Sequence, residues 1–105
     1  MENIKTADKN ADYEKLYIDN RKIIENTNIW KFLENIENKK MLDITEIKIV
    51  SENSKYKRIK IYGENLFIFS DTLAELNKLV SEKYGIFLID RNNISIVFEL
   101  LNSEE

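Results

Sequence analysis

The order of periodicities along this chain predicts an α+β domain, with one or two N-terminal helices and a mainly antiparallel sheet of about five strands. Three observations carry the prediction. Apolar residues recur at helical spacing before residue 40, at period two in short β-branched runs from Asp43 onward, and at helical spacing again between Asp71 and Gly85. The strand runs group as three and then two around that later helix, instead of alternating with helices one by one as a parallel sheet requires. Polar runs and Gly, Asn or Asp residues separate them, as hairpin turns need.

Met1–Ala11 (MENIKTADKNA) is polar and reads as a flexible tail, and Asn102–Glu105 as a short acidic one. Residues 12–101 then form a single domain. From Asp12, the residues Tyr13, Leu16, Tyr17, Asn20 and Ile24 fall on one helical stripe, with Ile23 beside it. The segment KLYIDNRKIIE fits a strand, an Asp-Asn turn and a strand as well, so helix and hairpin both stay open. In NTNIWKFLENIENKK, Thr27 or Asn28 can cap a helix. Ile29, Phe32, Leu33 and Ile36 make its apolar stripe, and Lys39 and Lys40 suit its C-terminal end.

DITEIKIV (43–50) alternates, and Ser51–Lys55 turns the chain. Tyr56–Tyr62 and Leu66–Ser70 then read as a hairpin around Gly63–Glu64 or Glu64–Asn65, completing a three-stranded meander. Ile47 and Ile49 join Ile59 and Ile61 on one face, and Glu46 is expected opposite Lys60. Helix 72–84 follows, with Thr72 and Glu75 as a capping box. Leu73, Leu76, Val80 and Lys83 or Tyr84 track its buried side, with Leu79 beside them, and Gly85 is its left-handed stop. IFLID-RNN-ISIVFELL is a C-terminal hairpin. A turn at Asn92–Asn93 pairs Ile89 with Ile96 and Phe87 with Phe98. Helix 72–84 covers one face of the sheet, and charged alternates leave the other at least partly wet.

With 105 residues, 43% hydrophobic and 33% charged, the chain has the composition of one globular domain. It contains neither Cys nor His. Disulfides, Cys/His zinc sites and every Ser–His or Cys–His catalytic arrangement are thereby excluded. Two glycines cannot build a Rossmann or P-loop phosphate cradle. DRNNIS (90–95) opens like a calcium loop, but Ser95 and Leu101 stand where Gly and Glu are needed. The carboxylate pairs Glu34/Glu37 and Asp43/Glu46 read as solvated charge. No cofactor and no metal are expected.

The N-terminus lacks the apolar run of a signal peptide, and no stretch reaches the length of a membrane span. The expected location is the cytoplasm. A net charge of −3 argues against indiscriminate binding to nucleic acid or anionic membrane. Asn, Ile and Lys occur 13, 16 and 13 times, an excess of residues with AT-rich codons. It points to a low-GC bacterium, a phage or a mobile element.

One pattern stands apart. The hairpin YKRIKIYGENLFIF sends Ile59, Ile61, Leu66 and Ile68 to one face and Tyr56, Arg58, Lys60, Tyr62, Phe67 and Phe69 to the other. Rings interleaved with cations serve single-stranded nucleic acid, where rings stack bases and cations hold phosphates. RRM strands use that logic, but this chain has neither their aromatic string nor their βαββαβ order. The same residue types anchor protein interfaces. A third possibility is that the N-terminal helices cover the rings. Trp30, at the helix start, is a further candidate anchor.

The expected function is that of a small non-enzymatic protein-binding protein. It would be an inhibitor, immunity or counter-defence protein that occludes the functional surface of a larger protein partner. The candidate contacts are Tyr56, Arg58, Lys60, Tyr62, Phe67, Phe69 and Trp30, with acidic groups at Asp8, Asp12, Glu14, Asp19, Glu104 and Glu105 expected to engage a basic nucleic-acid channel in the partner. A single-stranded nucleic-acid-binding module is the alternative, and a carboxylate- or metal-dependent enzyme a remote third. A homodimer is possible if Phe87–Leu101 leaves a sheet edge open.

Overall fold

The computed structural model describes residues 17–102. The expected tail at 1–11 with Asp8, and Asp12, Tyr13, Glu14 and Leu16, lie outside them, as do residues 103–105 with Glu104 and Glu105. The described chain is an α+β fold built on a four-stranded antiparallel sheet. Helix α1 occupies 17–24 of the described residues, so the helical alternative holds there. Helix α2 (Asn28–Asn38), strands β1 (Asp43–Glu52) and β2 (Tyr56–Glu64), helix α3 (Ser70–Ser81), and strands β3 (Ile86–Asp90) and β4 (Asn93–Leu101) follow.

Thr27 joins the two N-terminal helices. Its hydroxyl donates to the Ile24 carbonyl at 2.7 Å and accepts from the Trp30 N–H at 3.1 Å, satisfying one of the free donors of α2. Asn20, buried on the inner stripe of α1, donates from Nδ2 to the Ile47 carbonyl of β1 at 2.7 Å. Glu37 of α2 accepts the Ile44 N–H at 3.0 Å. Two backbone groups of strand β1 are thus satisfied by helix side chains.

Helix α2 ends in a pair of bonds that demand a left-handed residue. The Met41 N–H reaches the Ile36 carbonyl at 3.0 Å and the Lys40 N–H reaches the Glu37 carbonyl at 2.9 Å, while Lys40 takes φ 63°. A side chain there meets the steric penalty of the left-handed region, which glycine escapes. Lys40→Gly is therefore expected to stabilise the fold by about 1 kcal/mol. That corresponds to a rise in Tm of roughly 4–8 °C for a domain of this size, readable by calorimetry.

The sheet order is β1-β2-β4-β3. Strand β4 lies between β2 and β3 and is antiparallel to both. Strand β3 therefore runs parallel to β2, and β2–α3–β3 is a crossover split by β4. Four strands form where about five were expected, because 66–69 is not a strand. The turn anticipated at Gly63–Glu64 is occupied by β2 itself. Gly63 pairs with Ile44 on one side and Ile94 on the other. The nine-residue β4, with buried Ile94, Ile96 and Phe98, takes the place beside β2 that 66–70 would have filled. Segment 66–69 instead bridges elements: the Leu66 N–H donates to the Asn92 carbonyl at 2.7 Å, and the Phe67 N–H to the Met41 carbonyl at 2.8 Å.

Helix α3 starts two residues before the expected Thr72. Phe69 occupies its N-cap without a side-chain bond, so the Thr72–Glu75 box does not form; Asp71 takes the Thr72 N–H at 2.8 Å. Its C-terminal end repeats the geometry of α2. The Gly85 N–H meets the Val80 carbonyl and the Tyr84 N–H meets the Ser81 carbonyl, both at 3.0 Å. The left-handed residue is Tyr84, with φ 55°, and not Gly85. Gly85 is needed for a different reason: a Cβ there would stand 2.5 Å from the Val97 carbonyl oxygen.

The C-terminal hairpin turns at Arg91–Asn92, one residue earlier than expected, with Arg91 at φ 62°. Ile89 pairs with Ile94 and Phe87 with Ile96, a slip of two that leaves every side chain on its expected face. One buried cluster holds the layers together. Ile24 of α1, Trp30 and Leu33 of α2 and Leu76 and Val80 of α3 meet Ile59, Ile61, Ile96 and Phe98 of the sheet. The three helices thus cover one sheet face.

Candidate protein-binding surface

The side chains opposite that core are the alternates of each strand. On β2 they are Tyr56, Arg58, Lys60 and Tyr62, facing Leu101, Glu99, Val97 and Ser95 of β4. On the other flank Tyr62 faces Glu46 and Lys60 faces Lys48. Arg58, Lys60 and Tyr62 thus stand back to back with buried Ile59 and Ile61, as the alternation required. All four β2 side chains are half-buried against their neighbours, and among the described residues no helix covers them.

The expected cross-strand pair of Glu46 with Lys60 does not occur. The register places Lys48 opposite Lys60, with irregularities between Ile44 and Glu46 and between Ile49 and Ser51. Glu46 instead lies 3.8 Å from Lys48 on its own strand. Two like charges therefore face each other beside Tyr62, and among the described residues a carboxylate lies within ion-pair distance of only one of them.

Arg58 is held differently. Its guanidinium donates to Glu99 Oε2 at 2.8 Å across the β2–β4 ladder and stands 5.8 Å from the centroid of the Tyr56 ring. The hydrogen bond to Glu99, helped by Tyr56, raises its pKa further above an already high value, so the guanidinium stays protonated within its ion pair. Tyr17, under the sheet's other side, is also raised, first by burial and then by Glu37, and stays a neutral phenol.

Toward β3 the face turns apolar. Ile86 and Leu88 are 66% and 69% exposed, with Tyr84 beside Ile86 and Leu101 beyond Tyr84, both in the open. One shallow depression is lined by Arg58, Tyr84, Ile86, Val97 and Glu99. A second is lined by Tyr62, Leu88, Asp90, Asn93 and Ser95. The surface is therefore graded from cations on β1 and β2 to aliphatic groups on β3. Ile86 and Leu88 were not recognisable as surface residues. IFLID is apolar on both faces, and only its place at the sheet edge exposes them.

Three expected contacts lie elsewhere. Trp30 is 3% exposed and belongs to the core, because α2 is buried along a stripe wide enough to include it beside Ile29 and Leu33. Phe67 and Phe69 are not on a strand and do not continue the β2 face. They are 69% and 63% exposed in the segment leading to α3, edge to face with centroids 5.9 Å apart. They form a separate aromatic pair.

The paired carboxylates are engaged individually. Glu37 caps the Ile44 N–H, and Asp43 accepts from Asn65 Nδ2 at 2.7 Å. Among the described residues no group of three or more acidic side chains is placed to hold a metal ion, and no helix is long and apolar enough to cross a membrane. Fold and surface together define a small α+β protein with helices on one side of its sheet and an open, graded face on the other. Comparison with family models, curated proteins and solved structures returns no match to this chain.

Proposed function

We propose that this chain is a non-catalytic binding protein that engages a larger protein partner through the open sheet face, as inhibitor, immunity or counter-defence proteins do when they occlude a functional surface. The observation that carries the reading is the composition of that face. Tyr62 shares a shallow depression with exposed Leu88, and the Arg58–Glu99 pair shares one with exposed Ile86, giving an apolar flank beside the oriented charge of β2. Protein interfaces combine aromatic and Arg anchors with apolar surface and oriented charge. The absence of His and Cys removes the commonest general base near neutral pH and the thiolate nucleophile.

The facing pair Lys48 and Lys60 favours a second reading, in which Tyr62 stacks a base of single-stranded nucleic acid. Against it, Arg58 is already neutralised by Glu99 and the chain as a whole is acidic. Co-purification from cells of the source separates the two. Under the protein-binding reading, a discrete partner is retained by the wild-type chain. Its affinity falls at least ~10-fold with Tyr62→Ala or Lys60→Glu, at unchanged folding stability, and holds with Glu34→Ala on the helix side. Steeply salt-dependent binding to single-stranded RNA or DNA that Tyr62→Ala abolishes would refute it in favour of the second reading.

A further inference from the structure

The two edges of the sheet are finished differently. Strand β1 carries two irregularities in its pairing with β2, and α1 and α2 reach over to it, Asn20 taking the Ile47 carbonyl and Glu37 the Ile44 N–H. Bulges and covering groups of this kind stop an edge from recruiting another strand. Strand β3 has none of them. Its register with β4 is unbroken over all five residues. Ile86, Phe87, Leu88 and Ile89 follow one another without a Lys or Pro, and three of the four are exposed.

The hydrogen-bonding groups along this edge can be assigned. Asp90 and Asn93 flank a two-residue turn, which makes them a mutually bonded pair. Alternation along the ladder then directs the N–H and C=O of Leu88 and Ile86 toward β4, and those of Phe87 and Ile89 outward. Among the described residues no side chain or backbone group bonds to these outward groups.

We propose that this edge pairs with the β3 edge of a second copy, antiparallel about a two-fold axis, joining two four-stranded sheets into one of eight. Two features select a second copy over a foreign strand. A two-fold centred on Leu88 sets Phe87 of each copy against Ile89 of the other, using every outward group and keeping Ile86 and Leu88 of both copies on the open face as one apolar strip. The same axis carries Arg91 of one copy toward Tyr84 and Glu82 of the other, so opposite charges meet at both ends.

The joint is small: pairing covers the edge backbone and the flanks of Ile86, Leu88 and Ile89, while their open-face area stays in solvent, so the dimer is expected to dissociate on dilution. Because the β1 edges are closed, assembly stops at two. The joint shares Ile86 and Leu88 with the surface of the protein-binding reading, but Lys60 and Tyr62, whose substitutions test that reading, lie on β2, away from the joint.

The test uses the full chain. Sedimentation equilibrium is expected to give twice the 12.5 kDa chain mass at high concentration and to return to one chain on dilution. Amide exchange at Phe87 and Ile89, followed by NMR, is expected to slow at least ~10-fold between dilute and concentrated samples. Leu88→Lys places a charge at the axis and is expected to weaken the dimer at least ~100-fold, whereas Lys60→Glu leaves it unchanged. If Leu88→Lys proves unfolded by circular dichroism, the wild-type exchange comparison decides. A single-chain mass at every concentration overturns the proposal. So does a dimer in which Phe87 and Ile89 exchange as fast as when dilute, a dimer that folded Leu88→Lys preserves, or growth beyond two copies. Protection of Phe87 and Ile89 only when another protein is added would replace the second copy with a foreign strand.

Discussion

Trp30→Ala is expected to lower the stability of the fold by about 4 kcal/mol, read as a shift of the urea midpoint at unchanged slope. Large-to-small substitutions of buried aromatic residues cost about 3–5 kcal/mol, the transfer term plus the cavity left behind. Trp30 meets the condition: it is 3% exposed and packs in the cluster with Leu33, Leu76 and Phe98. Domains of this size are stable by only about 5–15 kcal/mol, so the variant should be near its unfolding midpoint already at moderate denaturant. Phe67→Ala, at a ring that is mostly in solvent, is expected to shift stability by less than about 0.5 kcal/mol. The pair separates two meanings of an aromatic residue. Loss of partner binding in Trp30→Ala would report unfolding, while loss in Tyr62→Ala at unchanged stability would report contact. A Trp30→Ala shift below about 1 kcal/mol would contradict the burial of α2 described here.

Gly85→Ala should be the next most damaging change, at about 3 kcal/mol by the same measurement. Its direction is decided by two opposing terms. Gly85 has ordinary negative φ, so alanine would be tolerated by the backbone and would gain about 0.4–1 kcal/mol from the restricted unfolded chain. Against this, the new methyl carbon would meet the Val97 oxygen at 2.5 Å, Phe98 Cβ at 2.8 Å and Val80 Cγ1 at 2.9 Å. Overpacking of this severity typically costs about 1–3 kcal/mol and more when backbone must move. Here it must, because the Glu99 N–H is bonded to the Lys83 carbonyl at 3.0 Å and pins the α3–β3 connection to β4. Gly63→Ala is expected to cost less than half as much, since its closest neighbours are Leu42 Cδ1 and Cγ at 2.7 and 3.1 Å, the end of a side chain that can turn away. Equal losses at the two glycines would show that conformational freedom, and not close approach, explains them.

Much of this molecule is legible residue by residue. The helical stripe of Asn20 and Ile24, the Thr27 cap and the opposition of Lys60 to Ile61 depend on local periods of 3.6 and 2, which the chain carries wherever it is placed. The faces even survive wrong registers: the C-terminal turn falls one residue away from the expected position, yet the slip is two and no side chain changes side. The aromatic–basic face of β2 was visible for that reason.

What stayed hidden concerns which segments become neighbours. Segment 66–70 and β4 both offer an alternating run to β2, and nothing within either run says which will pair. The longer β4 prevails, and Phe67 and Phe69 leave the sheet. Trp30 looks amphipathic in isolation and is interior only because α2 is packed along a broad stripe. Ile86 and Leu88 read as core and lie in solvent because β3 ends the sheet. Which side of a strand or helix a residue occupies follows from the backbone's own repeat and is written in the order of residues. Whether that side is covered depends on long-range pairing, where competing segments differ by small free energies, and only the assembled tertiary structure decides it.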